Sequence, residues 1–229
     1  MTQMSTLGRS SHLSGLLPWQ NRPRRETREL GGAMEGIGAP MLFRRHAEIY
    51  GEGEPADYLY KVVSGVVRTY KVLADGRRQV GGFYLRGDIF GLETGAEHAF
   101  SADAISECRV LVAKYSTLIA RAKTDHEVAF QLWMLTGREL RRLQDHVLLL
   151  IKNAPERVAA FLLALAERCS TDNSIELPMS RQDIADHLGL TIETVSRTLS
   201  YLESLQAIEL LSARRVLLRN RCALVQLSA

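Results

Sequence analysis

The sequence predicts an α+β protein with an N-terminal antiparallel β-roll of the jelly-roll type, a long dimerisation helix and a C-terminal winged helix-turn-helix. Three observations lead to this prediction. Short apolar segments separated by glycine turns fill the first half, apolar residues follow a seven-residue repeat in the middle, and two short helical patterns joined by a glycine lie near the end. The 229 residues are 46% hydrophobic, which is enough to bury a core and excludes disorder throughout.

Charge and composition exclude several classes of protein. The formal net charge of +3 is only weak evidence for an anionic partner. The chain has no run of about 18 apolar residues and no apolar segment near its start, so we expect neither a membrane span nor a secretory signal. Its three cysteines are far apart, which argues against a disulfide framework. The reducing cytoplasm is therefore the expected location.

Residues 1–32 are rich in Ser, Gly, Pro and Arg and hold no apolar period. We expect this segment to be a flexible leader. The alternative is a tail that contacts DNA or a membrane, but its charges are few and of both signs.

Residues 33–124 are predicted to form the β-roll. The stretch 56–70 is rich in β-branched and aromatic residues and is interrupted at Gly65. The segment 74–76 reads Ala-Asp-Gly, which is typical of a hairpin turn, and residues 108–113 are apolar again. Several short strands at this spacing predict an antiparallel barrel or jelly roll.

Residues 125–152 are predicted to form one long helix that pairs with a copy of itself. Its apolar residues are spaced alternately four and three apart, which is the pattern of a coiled-coil seam. The central members of the expected dimer seam are Trp133, Leu140, Leu143, Val147 and Leu150, and the repeat also includes Ala129 and Thr136.

Two further features of this helix bear on how it packs. The alternative to a dimer is packing onto the chain's own β domain, for which Leu148, Leu149 and Ile151 supply a second apolar face. Charged residues flank the seam and could pair across a dimer: Arg138, Glu139, Arg141, Arg142 and Asp145.

Residues 153–229 are predicted to form a winged helix-turn-helix. Pro155 fits the first turn of a new helix, which ends near Cys169 and is followed by a loop over residues 170–174. Ser180 and Asp183 then form a capping box.

The turn of the motif has a specific sequence pattern. Ala185 is small where two helices must cross, Gly189 supplies the left-handed turn, and Thr191 caps the next helix. That second helix would turn four apolar residues inward: Ile192, Val195, Leu199 and Leu202. The alternative is an amphipathic helical hairpin that does not bind nucleic acid.

The outward side of the second helix carries side chains that read base edges. Arginine can fork onto O6 and N7 of guanine, a carboxylate can accept from N4 of cytosine, and a hydroxyl can serve several bases. Residues 208–218 then read as a hairpin, which would be the wing. Phosphate or backbone contacts are expected at helix starts and on the wing, from Ser180, Arg181, Thr191, Thr194, Ser200, Arg214 and Arg215. The alternative for the wing arginines is a solvated hairpin tip without a DNA contact. The positive charge of the wing region also includes Arg219 and Arg221.

The order of these parts resembles the CRP/FNR family of bacterial transcription regulators over roughly residues 40–228. The resemblance rests on Gly65 with its flanking strands, on residues 87–91 (GDIFG), and on the segment 184–197. It implies a cyclic-nucleotide-binding-like roll and a cytoplasmic homodimer that binds double-stranded DNA. Residues 193–197 (ETVSR) match the E-x-x-S-R form of the FNR branch. That match implies TTGA-type half-sites, with base readout by Glu193, Ser196 and Arg197.

Two departures from the family narrow the subgroup. No cysteine precedes Cys108, so we expect no iron–sulfur cluster, which normally needs about four thiolates. In the cyclic-AMP branch a glutamate and an Arg-Ser pair hold the ribose and the phosphate, whereas here Leu92 follows Gly91 and the pair reads Phe100-Ser101. We therefore expect no cofactor. The resemblance is strongest to the FixK-like regulators of nitrogen fixation and microaerobic growth.

The remaining expectations concern partners and chemistry. As an activator, the chain would touch RNA polymerase through loops, and the segments 75–78 and 170–174 occupy the family's positions for this, although both are more often plain loops. Other function classes are a ligand-binding β-roll that only oligomerises and a jelly-roll enzyme. The enzyme lacks support because residues 40–120 hold only His46 and His98, and no metal site or nucleotide-binding motif is expected. We expect Cys108 to be in the core and Cys169 and Cys222 to be exposed, unreactive thiols. The alternative is that Cys169 or Cys222 is oxidisable.

Overall fold

The β-roll consists of two antiparallel sheets with an apolar core between them. In the computed structural model, which describes residues 27–93, 95–169 and 173–228, one sheet has the strand order β1-β8-β3-β6 and the other β2-β7-β4-β5. The strands of the roll are β1 (Ala39–Phe43), β2 (Glu48–Tyr50), β3 (Tyr58–Ser64), β4 (Val67–Val72), β5 (Arg78–Tyr84), β6 (Ile89–Phe90), β7 (Ser101–Ala104) and β8 (Cys108–Lys114).

Alternation along the strands builds this core. In β8, Cys108 and Val110 are buried between the sheets while Arg109 is exposed, as the period of two in a strand requires. Gly65 has a φ of +84° after β3, and a Cβ there would lie 2.8 Å from the Cα of Cys108. Only glycine therefore fits the point where these two strands meet.

Part of the expected leader is folded. Helix α1 (Thr27–Glu35) includes residues 27–32, and Leu30 and Met34 are fully buried in one apolar cluster with Leu111 of β8 and with Leu118. The prediction of a flexible segment is thus wrong for residues 27–32, because burial of one apolar stripe stabilises a short helix that contains two glycines. Residues 1–26 lie outside the described residues.

Two further helices pack on the roll. Helix α2 (Tyr115–Ala122) continues directly from β8 and buries Leu118, so the segment predicted as strands also contains a helix. The long helix α3 (His126–Leu150) begins at the N-cap Asp125, whose carboxylate accepts from two backbone N–H groups.

The inner face of α3 differs from the expected one. The helix buries Val128, Leu132 and Leu135 in an apolar cluster shared with α1, α2 and strands of the roll, and only Leu149 of the predicted second apolar face packs inward. Leu148 and Ile151 are exposed. The expected intrachain face is therefore wrong at these two positions, because they point away from the roll.

The C-terminal half contains helices and a small sheet of order β10-β11-β9. The helix that begins near Pro155 and the hairpin after α6 agree with the sequence prediction, and a third strand pairs with the hairpin. The elements are α4 (Ala154–Cys169), β9 (Ser174–Glu176), α5 (Arg181–Leu188), α6 (Ile192–Ser204), β10 (Ile208–Ser212), β11 (Arg215–Leu218) and α7 (Arg221–Ser228).

Three local expectations fail in this half. Ser174, expected in a loop, is the first residue of β9, and the rest of that loop, residues 170–172, lies outside the described residues. Arg221 begins α7, which packs on α4 through the fully buried Leu224, so it is not part of the wing. Arg219 is paired with Glu209, so it does not add a free positive charge.

One apolar cluster joins the two halves. Val80 and Phe83 of β5 belong to the same core as Phe161 of α4 and Ile184 and Leu188 of α5. The helix-turn-helix is thus packed on the roll, with α5 lying against β5. In the described part of the chain, no helix has the length and apolar character needed to cross a bilayer.

Candidate nucleic-acid interface

Helix α5 forms the first helix of the motif, as predicted. The hydroxyl of Ser180 accepts from the Asp183 N–H at 3.1 Å, and the Asp183 carboxylate accepts from the Ser180 N–H at 2.9 Å. This reciprocal pair is the expected capping box. At the other end Gly189 has a φ of +63° and its N–H donates to the carbonyl of Ala185, which is fully buried at the helix crossing.

Helix α6 forms the second helix and begins at Thr191, whose hydroxyl accepts from the Thr194 N–H at 3.2 Å. Val195, Leu199 and Leu202 are buried against α4 and α5, as the pattern predicted. Ile192 is the exception. Ile192 lies in the first turn, before the part of α6 that packs in the core, so its side chain is exposed.

The side chains predicted to read bases lie on the outer side of α6. Glu193 and Arg197 are one helical turn apart and exposed, and Ser196 is half-buried between them. A hydrogen bond from its own backbone N–H, together with one from the Thr191 hydroxyl, lowers the pKa of Glu193. This carboxylate is therefore an acceptor at neutral pH, as a contact to cytosine N4 requires.

The residues expected at phosphates have different surroundings. Thr191 and Ser200 are exposed, whereas Thr194 and Arg181 are half-buried. The Ser180 hydroxyl donates to the Asp183 carboxylate at 2.7 Å, and its backbone N–H donates there as well. Because both donors of Ser180 are engaged by an anion, we leave it out of the proposed phosphate contacts.

The hairpin of β10 and β11 places the wing beside α6. Arg214 lies in its turn and Arg215 begins β11, and both are exposed. The Nε of Arg215 also donates to the hydroxyl of Ser174 on β9, at 3.2 Å. The wing, whose strand β10 packs on α6, thus presents two exposed arginines at and beside its turn.

The expected dimer seam is an exposed apolar stripe along α3. Trp133 is 69% exposed, Leu143 61% and Val147 63%, and Leu140 and Leu150 continue the same line. Large apolar side chains in such a continuous row are typical of an interface. The flanking charges differ from the expectation, because Glu139 and Arg142 face the roll and do not flank a partner helix.

Arg142 is held inside the roll. Its guanidinium lies over the ring of Tyr84 at 4.2 Å from the centroid, and its Nη2 donates to the Phe83 carbonyl at 3.3 Å. The Glu139 carboxylate lies 3.8 Å from Nη1. Sequence reasoning missed this role, since a heptad pattern does not distinguish a charged residue beside the seam from one that faces a neighbouring domain.

A small cavity of about 70 Å³ lies in the roll next to Arg142. The cyclic-AMP branch of the CRP/FNR family, which this sequence resembles, binds a cyclic nucleotide in its roll. Burying the phosphate of such a ligand requires a cation or several N–H donors around it. Among the described residues the lining instead has two carboxylates and no basic side chain, and the neighbouring Arg142 is engaged by Tyr84 and the Phe83 carbonyl. These residues therefore do not fit a cyclic nucleotide. The lining is formed by Tyr50, Thr69, Tyr84, Phe90, Gly91, Leu92, Glu93, Phe100 and Glu139.

Histidines and cysteines do not form a metal centre in the described part of the chain. The rings of His146 and His187 are in contact at a tilt of 31°, with centroids 4.6 Å apart, which the sequence separation did not reveal. Burial, with the neighbouring His146 ring, lowers the pKa of His187 to about 3. Cys108 is buried, whereas Cys169 and Cys222 are exposed, as expected.

Comparisons with known proteins agree with this architecture. A family model of the cyclic nucleotide-binding domain matches residues 40–125, and one of the Crp-like helix-turn-helix domain matches residues 156–227. The chain is 55% identical over 199 residues to the nitrogen fixation regulation protein FixK of Azorhizobium caulinodans, which covers 84% of this chain and 80% of the relative. The chain belongs to the CRP/FNR family of transcription regulators.

Other family members support the same assignment. The FixK protein of Rhizobium meliloti is 42% identical over 193 residues, covering 83% of this chain and 88% of the relative. The solved structure of FixK2 from Bradyrhizobium japonicum superposes with a TM-score of 0.82 at 49% identity, covering 84% of this chain and 98% of that chain. The predicted fold of roll, long helix and winged helix-turn-helix is thus confirmed.

Proposed function

We propose that this CRP/FNR-family regulator is a homodimer that binds TTGA-type inverted repeats without a cyclic nucleotide or an iron–sulfur cluster. Glu193, Ser196 and Arg197 read bases, and the wing and the α6 N-terminus hold phosphates. The observation that carries the proposal is the exposed outer side of α6, where a carboxylate and a guanidinium lie one turn apart on a capped helix.

Dimerisation through α3 supports this geometry. The stripe around Leu143 is apolar and exposed in the single chain, and a two-fold partner would cover it. Two recognition helices related by that axis would enter successive major grooves about 34 Å apart. The dimer therefore matches a palindromic site.

The relatives' names suggest the biological role. FixK proteins are named as regulators of nitrogen fixation, and we infer an activator of that kind, which works in the cytoplasm. Contact with RNA polymerase would use surface loops. In the β4–β5 hairpin Arg78 points to α5 instead, so the exposed Asp75–Arg77 pair remains for this role.

The decisive experiment measures binding of the purified full chain to a labelled TTGA inverted repeat, in air and without added ligand. We expect binding that weakens steeply with salt, because phosphate contacts release counterions. Arg197→Ala should cost roughly 1–3 kcal/mol and relax the preference at one guanine. Arg109→Ala, which removes an exposed arginine from the roll, is the matched control and should change neither the affinity for the repeat nor the base preference.

Two results would contradict the proposal. An unchanged base preference in the Arg197→Ala protein would remove its assigned role. Binding that appears only after anaerobic preparation, or only on addition of a nucleotide, would refute independence from an effector.

A further inference from the structure

A buried cluster of charges fastens the helix-turn-helix to the roll. Arg68 of β4 pairs with both oxygens of Asp103 on β7, with Nε–Oδ1 2.7 Å and Nη2–Oδ2 2.6 Å, and its Nη1 donates to Asp183 of α5. Arg78 of β5 donates from Nη2 to Asp183 at 2.6 Å and from Nε to Asp186 at 2.7 Å. We call Arg68, Arg78, Asp103, Asp183 and Asp186 the clasp.

The clasp is shielded from solvent, which makes its geometry specific. The side chain of Asp183 is 6% exposed, and those of Arg68 and Asp186 are each 12% exposed. Buried charges are tolerated only when they are paired and hydrogen-bonded, so a slid or rotated α5 would leave them unpaired. The cluster therefore favours one position of α5 on the roll.

Asp183 links the two domains directly. One of its oxygens accepts from the hydroxyl and N–H of Ser180 and caps α5, while the other accepts from Arg68 and Arg78. Although burial opposes its ionisation, these hydrogen bonds and nearby arginines lower the pKa of Asp183. Asp183 thus caps α5 together with Ser180 and also binds the two arginines of the roll.

Neighbouring contacts hold α5 along β5 without covering the reading side of α6. Nδ1 of His187 donates to the Val80 carbonyl at 3.0 Å, and the Gln79 side chain lies 3.4 Å from the His187 carbonyl. Helix α6 packs on α4, α5 and β10, and Glu193 and Arg197 remain exposed. The clasped arrangement is therefore compatible with DNA binding.

We propose that Arg68 and Arg78 are positioning residues that set the half-site spacing accepted by the dimer. The roll is packed on α3, so fixing α5 on the roll fixes the recognition helix relative to the two-fold axis. Only the short segment 151–153 joins α3 to α4. The apolar cluster that includes Val80 and Ile184 also holds α5 on the roll, but apolar packing does not fix one orientation as the buried charges do. Without the clasp, each recognition helix would therefore shift about this segment among several positions. This inference rests on the proposed function.

The test uses the full-length protein on inverted repeats whose spacer is lengthened or shortened one base pair at a time, and on a single half-site. Arg78→Gln removes two contacts of the clasp. If about one molecule in ten then remains correctly positioned, affinity for the optimal repeat falls about tenfold. Selectivity among spacers should shrink to about threefold or less, since a mobile domain reaches several spacings with similar effective concentration.

Controls separate positioning from loss of fold. Arg77→Gln breaks the exposed pair with Asp75 on the same hairpin and should leave spacing selectivity unchanged. Asp186→Asn leaves the capping box intact and should loosen selectivity in the same direction as Arg78→Gln, while Arg78→Lys should restore part of it. Half-site binding should be the same in all these proteins, because the reading residues are untouched.

Three outcomes would overturn the inference. The first is that Arg78→Gln and Asp186→Asn both keep the spacer selectivity of the wild type. The second is that affinity falls equally for the half-site and for the full repeat. The third is that the variants bind the repeat more tightly than the wild type does. The last result would mean that the clasp inhibits the protein. If the wild-type protein binds neither a half-site nor a repeat, the proposed function itself fails and the clasp's role falls with it.

Discussion

Replacing Gly82 by alanine should expel Arg142 from the roll. A Cβ on Gly82 would lie 1.8 Å from Nη2 of Arg142 and 2.7 Å from its Cζ, far inside van der Waals contact. The backbone of β5 is fixed by its ladder with β4, so the arginine side chain must move. Its stacking on Tyr84 and its hydrogen bond to the Phe83 carbonyl would both be lost.

The expected cost follows from those two contacts. A desolvated cation–π contact contributes up to about 2 kcal/mol, and a hydrogen bond from a charged donor contributes about 1.5–3 kcal/mol. Glu139, whose pKa is raised by burial, would also lose its neighbouring cation. Since the expelled guanidinium regains hydration, we expect Gly82→Ala to lower the free energy of unfolding by roughly 2–4 kcal/mol.

A double-mutant cycle identifies the cause. Urea unfolding is measured at one protein concentration for Gly82→Ala, Arg142→Ala and the double variant. If the clash is with the guanidinium, Gly82→Ala should cost little in the Arg142→Ala background. Gly137→Ala is the control, because a Cβ at this position on α3 meets nothing within 4 Å and should stabilise by about 0.5–1 kcal/mol. An equal cost of Gly82→Ala in both backgrounds would refute the reasoning.

Other predictions follow from burial and exposure. Leu143→Glu should yield a monomer in analytical ultracentrifugation, because it places a charge in the exposed apolar stripe, and a stable dimer would contradict the seam. His187 should make the protein less stable in acid. Its pKa of about 3 in the fold lies below 6.5, so stability is full above pH 6.5 and falls as pH drops toward 3. At pH 5 the loss should be about 2 kcal/mol, and His187→Asn should remove that dependence. Burial raises the pKa of Cys108, so iodoacetamide should modify the exposed Cys222 first in the native protein, as mass spectrometry would show.

The helix-turn-helix could be predicted because its signals are local. The Ser180–Asp183 box, the small Ala185 and the left-handed Gly189 each act within a few residues of their position. Helix α1 was missed because its two glycines oppose helix formation, and only packing of Leu30 and Met34 on the roll stabilises it.

The roles of the buried charges could not be predicted from their spacing. Arg142 lies 58 residues from Tyr84, and Arg78 lies 105 residues from Asp183. An arginine on a helix or strand surface is normally solvated, so its pattern alone favours an exposed face. Only the packing of α3 and α5 on β5 reveals that these cations have buried partners.

Under the proposed function, the two faces of α3 have different roles in assembly, and together they would make a bound effector unnecessary. The outer face is apolar, and apolar contacts are non-directional, so it would supply association energy for the proposed dimer without fixing much of the geometry. The inner face places Arg142 on Tyr84 beside the small cavity of the roll, a contact with strict geometry. An arginine of the chain itself thus joins roll and helix, a connection that a bound ligand could otherwise supply. Under the proposed function, the dimer helix is held in register by this internal cation and the recognition helices by the clasp, so no small molecule is needed to order either one.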